Sequence, residues 1–102
     1  GWERAHREWR AGAVDRASAM AGGLAQAGTG DARAAALAVQ GTADREMGLA
    51  LLRQGETAAA AARLRAAQAA LDEVLADHPE MDPLGALVGR QASIAARLKT
   101  LN

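Results

Sequence analysis

A chain of 102 residues is one domain by size, and its twelve basic and twelve acidic residues balance with the signs interspersed, which excludes the basic stripe of a nucleic-acid binder and attraction to an anionic membrane. Half the residues are apolar, yet 29 are alanine, only 22 are Leu, Val, Ile, Met or Trp, and Phe and Tyr are absent; burial stabilises in proportion to apolar area, at about 25 cal/mol per Å², so the expected core is thin. The lack of cysteine excludes thiol chemistry, and no apolar run approaches the ~18–20 residues of a membrane-spanning helix.

Four helical segments read out in chain order. The first is expected from about Trp2 to Ala27, with Trp2, His6, Trp9, Ala13, Ala17, Met20, Leu24 and Ala27 at three-four spacing on one face. Ala27 to Gly30 breaks it, and Thr29 or Asp31 caps the next segment. The second is expected from about Asp31 to Arg53, where Leu37, Met47 and Leu51 share a face with Gly48 beside it, and Gly41-Thr42 is a place where it could divide. Gly55 suits the left-handed residue that ends a helix. The third is expected from about Glu56 to Asp77 on a stripe of Ala60, Leu64, Ala67, Leu71 and Val74. After the turn at His78-Pro79-Glu80-Met81, Asp82 is expected to cap a fourth helix with Pro83 in its first position; Leu84, Leu87, Gln91, Ile94, Leu98 and Leu101 mark its inner face. Val and Ile total five and never alternate. The fold class expected is all-α: an antiparallel four-helix bundle or two stacked helical hairpins, since short connections pack helices as antiparallel neighbours. The chain begins with Gly1 rather than Met, which points to a single helical domain, 1–102, taken from a larger protein. The abundance of Arg and Ala points to a bacterial source, and a cytoplasmic location is expected.

The stretch EMGLALLRQGETAAAAARLRAAQAAL, residues 46–71, resembles a tetratricopeptide repeat over residues 44–71. Gly48, Gly55, Ala60, Leu64 and Ala67 stand at that family's small and bulky positions, where small side chains let the two helices of a hairpin cross closely, and Leu51 matches a bulky position between the glycines. The resemblance implies a helical hairpin that binds protein partners. Asp44, Thr57 and Asp72 depart from the family's aromatic and proline positions, and neither neighbouring stretch repeats the pattern, whereas a solenoid needs about three repeats. A looser similarity, carried by LLRQGE and LADHPEMDPLGALVGRQASIAARL, is to helical regions attached to bacterial von Willebrand factor A proteins. That similarity implies that the chemistry belongs to a separate domain.

No constellation of catalytic, cofactor-binding or metal-binding residues emerges, so none of these roles and no cofactor is expected. His6 and His78 are the two histidines and lie far apart, whereas metal ligands usually pair at short helical spacing; His78 is expected to support the end of the third helix through the exposed carbonyls there. Ser18, Ser93 and the threonines carry no nucleophile motif. The carboxylate pairs Asp72-Glu73 and Glu80-Asp82 sit near helix ends, where acids are solvated. Arg63, Arg90 and Arg97 would matter to an enzyme only if turned inward toward an acid. GTGD, 28–31, lacks the lysine and length of a phosphate loop, and WERAHREW mixes Glu3 and Glu8 with its arginines too evenly to grip nucleic acid.

The partner-binding candidates are Trp2 and Trp9, the chain's two aromatic residues, set seven apart, together with Leu51; aromatics are enriched where interfaces hold most tightly. The main expectation is a non-enzymatic helical module that mediates protein–protein or interdomain contact by apolar docking, its partner a protein or an adjacent domain of the parent chain. A homo-oligomerisation bundle competes with it, and a small enzyme or ligand sensor is the third reading. A concave groove flanked by the second and third helices would favour the first, a symmetric face bearing Trp2 and Trp9 the second, and an inward cluster of Arg and acids around a pocket the third.

Overall fold

A computed structural model describes residue 10 and residues 12–20 and 30–101. Among them the chain is all-α and contains no strand. Helix α1 is described at residue 10 and over 12–20; α2 spans Gly30–Arg53, α3 Thr57–Asp77 and α4 Ala86–Leu101, with a single 3-10 turn at Pro79–Met81. Trp2, His6, Trp9, Leu24 and the ends expected for the first helix lie outside the described residues.

The scaffold is the antiparallel pair α2–α3. The inner stripe of α3 is the expected one: Ala60, Leu64, Ala67, Leu71 and Val74 are all fully buried. The inner face of α2 differs from expectation. It is made of Ala34, Leu37, Gly41, Asp44 and Gly48, all buried, while Met47 and Leu51 are half-buried. Gly41 does not divide the helix; it is where α3 comes closest. A Cβ placed there would lie 2.7 Å from Leu71 Cδ2 and 3.3 Å from the Ala67 carbonyl oxygen. Seven residues on, a Cβ at Gly48 would lie 2.8 Å from Leu64 Cδ2 and 3.3 Å from the Ala60 carbonyl. Each leucine of α3 thus occupies the space left by a glycine of α2, and the seven-residue period keeps the seam facing its partner along the pair. The residues behind the tetratricopeptide resemblance lie on this seam and its turn. Their geometry answers a general need of closely crossing helices and is not peculiar to a repeat.

The turn between the two helices is hydrogen-bonded at both levels of a left-handed cap. Gly55 has φ +80°, its N–H donates to the Leu52 carbonyl at 3.0 Å, and the Glu56 N–H donates to the Leu51 carbonyl at 2.9 Å, which satisfies carbonyls the helix end leaves open. Helix α3 ends at His78, whose N–H donates to the Val74 carbonyl at 2.7 Å, and Pro79 prevents continuation.

Helix α4 begins at Ala86, later than expected, because Asp82-Pro83-Leu84-Gly85 closes as a turn. The Gly85 N–H donates to the Asp82 carbonyl at 3.1 Å, with proline second and glycine fourth as such turns prefer, and Gly85 takes φ +72°. Asp82 still caps, from one turn away: its Oδ1 accepts from the Leu87 N–H at 2.9 Å and its Oδ2 from the Val88 N–H at 3.0 Å. Leu84 is therefore carried out of the inner face and is 94% exposed. Leu87, Ile94 and Leu98 are buried as expected and close the core over α3 with Leu64, Leu71 and Val74. Gln91 donates to Asp72 Oδ1 at 2.6 Å across the α3–α4 contact.

Candidate functional site

Among the described residues, charged and polar side chains fasten helix α1 to the pair. Asp44, on the inner face of α2, is 2% exposed. Its Oδ1 accepts from the buried Ser18 hydroxyl of α1 at 2.7 Å and from Arg63 Nη1 of α3 at 3.2 Å. Arg63 Nη2 reaches back to Asp15 of α1 at 3.4 Å. A buried carboxylate is retained when its oxygens are hydrogen-bonded, and here one carboxylate fixes the mutual placement of three helices. Arg10 adds an ion pair with Glu46. Arg63 does turn toward acids, but it is engaged by Asp15 and Asp44 and belongs to neither of the two cavities described below. Ser18, considered above as a nucleophile by type alone, has its hydroxyl committed to Asp44.

Between α1, α2 and α4 lies an open groove of about 370 Å³. Val14 and Ala17 of α1, Val39 and Ala43 of α2, and Leu87 of α4 line it, and Glu46 and Arg90 are its charged members. Val39 is half exposed within it, and Val88, next to Leu87, is exposed as well. The groove is thus flanked by the first, second and fourth helices, while the glycine seam draws the second and third together at Gly41 and Gly48. Leu51 lies at the hairpin turn, half-buried, outside the groove lining. Arg45 ties α2 to α4 by donating to the Ser93 hydroxyl at 3.2 Å.

The opposite end of the hairpin gathers charge. Arg33 of α2 grips Glu73 of α3 with two hydrogen bonds, Nε to Oε2 at 2.9 Å and Nη2 to Oε1 at 3.0 Å. This grip raises the guanidinium pKa, burial opposes it to a smaller extent, and the nearby Asp77 adds the least. Asp72 and Glu73, adjacent in sequence, therefore serve different neighbours. A second cavity of about 190 Å³ opens here, lined by Gly30, Arg33, Ala34, Glu73, Asp77 and His78 among others. Beside it, His78 Nδ1 lies 3.2 Å from Glu80 Oε1 and 3.5 Å from Asp31 Oδ1. The Glu80 carboxyl is held below the ordinary glutamate range by its own backbone amide first and by the His78 ring second. His78 closes the end of α3 through its backbone N–H, whereas the ring expected to meet the helix-end carbonyls lies against Glu80 and Asp31. Its side chain meets Glu80, two residues on, and Asp31 from the start of α2, and the second of these proximities no local spacing in the sequence could reveal. Asp31 belongs to the first turn of α2 and Glu80 to the 3-10 turn.

No described helix is long and apolar enough to cross a membrane. No protein-family model, curated protein or solved structure matches the chain.

Proposed function

We propose that the chain is a non-enzymatic helical docking module that holds an apolar segment of a protein partner, or of an adjacent domain of its parent chain, in the groove between α1, α2 and α4. The open groove with Val39 half exposed in it carries this reading. Apolar residues that cannot reach the thin core are left for a second surface to cover, and Glu46 and Arg90 would set the direction of the bound segment through charges of opposite sign.

Site-specific photo-crosslinking in the source cell tests it. A photoreactive residue at Val39 or Val88 is expected to capture one identifiable peptide, while the same residue at Ala66, exposed on α3, captures none. A crosslink from Val39 to a second copy of this chain would replace docking with self-association. Equal yields from Val39 and Ala66 would remove the groove as a binding surface.

A further inference from the structure

We propose that Asp31, His78 and Glu80 form a binding site for a divalent transition-metal ion of the zinc class, with three protein ligands and a fourth position left to water. One ligand atom from each residue lies within 4.8 Å of the other two. The separations of 3.2 Å from His78 Nδ1 to Glu80 Oε1 and 3.5 Å to Asp31 Oδ1 are close to the edges of a zinc coordination tetrahedron. Zinc bonds of about 2.0–2.2 Å to nitrogen and oxygen put tetrahedral ligand atoms roughly 3.3–3.6 Å apart. Completing the set therefore takes a small movement of the two carboxylates, and their side chains, 87% and 66% exposed, are free to make it. The imidazole is half-buried and fixed at the end of α3, so one ligand is already in position.

Electrostatics favour a cation at this end. Asp31 and Glu80 meet at His78, and Glu73 and Asp77 line the adjoining cavity with Arg33, which Glu73 engages, and the carbonyl end of α3 adds its negative pole. An imidazole beside two carboxylates selects zinc-class ions over magnesium and calcium, which take sets made of oxygen alone. The three ligands come from the first turn of α2, the end of α3 and the 3-10 turn, so a bound ion would tie the start of one helix to the connection that follows the next. This assignment is independent of the docking groove, which lies between other helices.

Calorimetric titration of the 102-residue chain with zinc chloride, in a buffer that does not chelate, tests it. The expected result is saturable binding of one ion per chain, weakened about tenfold or more by His78→Ala and comparably by Asp31→Asn or Glu80→Gln, unchanged by His6→Ala, and not matched by magnesium or calcium. Folding is preserved in His78→Ala because the structural hydrogen bond of that residue comes from its backbone N–H, and Glu80→Gln keeps the side-chain shape. In parallel, the His78 Nδ1 resonance is expected to shift on addition of zinc. Absence of saturable binding, retention of full affinity in His78→Ala, or loss of binding in His6→Ala would overturn the site.

Discussion

Adding one methyl group to Gly41 is expected to destabilise the fold, and adding it to Gly89 to stabilise it. In isolation, both substitutions replace a poor helix former with the best one, a gain of up to about 1 kcal/mol. At Gly89, on α4, nothing lies within 4 Å of the new carbon, so the gain stands. At Gly41 the methyl would come within 2.8 Å of Leu71 Cγ and 2.7 Å of its Cδ2. Leu71 is fully buried and its branch point cannot swing away, so the helices must part. Overpacking of this kind costs about 1–3 kcal/mol, and after the full propensity gain a net loss of up to about 2 kcal/mol is left. Urea denaturation followed by helicity measures both changes. A cycle with Leu71→Ala identifies the cause: the leucine truncation, itself worth about 2–5 kcal/mol, is expected to cost about 1 kcal/mol less when Ala already occupies position 41. Gly48→Ala should behave as Gly41→Ala does, and the pair together should cost less than the two separately, since helices already parted by the first methyl accept the second. If Gly41→Ala proved as stable as Gly89→Ala, the glycine–leucine seam would not govern the packing of α2 on α3.

Three further outcomes are expected. Arg63→Met leaves the Asp44 carboxylate with Ser18 as its remaining side-chain partner and should cost about 1–3 kcal/mol; Asp44→Leu added to it should recover part of that loss in urea denaturation, because the unpaired buried charge is gone. Gly55→Ala should cost about 1–2 kcal/mol from the left-handed backbone alone, with Gly55→Asn costing less, measured the same way. The Asp82 carboxyl is held below the ordinary aspartate range, chiefly by the Leu87 amide with Val88 and Ala86 adding to it and burial opposing. The stability it lends to α4 is therefore present above the unfolded pKa and disappears as pH falls through the lower, folded one. Amide exchange at Leu87 and Val88 should quicken only below about pH 4, and Asp82→Ala should remove that dependence.

The helices whose inner faces are leucine and alanine at three-four spacing were legible in the sequence, and so was Gly55 as a terminator. What was not legible has physical reasons. The inner face of α2 is built from glycine, which no hydrophobicity pattern records as core, so Gly41 reads as a break when it is a point of contact. Nothing in the local pattern marks Asp44 as buried, because its partners, Ser18 and Arg63, come from two other helices. Asp82-Pro83 fits both a helix start and a turn, and Gly85 decides between them; the difference moved Leu84 from the core to the surface. The groove depends on where α1 comes to rest, which the buried carboxylate sets and no local periodicity encodes. Asp31 meets His78 and Glu80 only once the hairpin has closed.

The glycine seam has one more consequence, for the way stability varies with temperature. The heat capacity released on unfolding grows with newly wetted apolar area and shrinks with wetted peptide groups. Helices that approach backbone to backbone over glycine and alanine hide much peptide and little hydrocarbon. The stability curve of this chain is therefore shallow: it unfolds over a broad interval on warming, gains little from cooling, and has its point of cold unfolding far below the freezing of water.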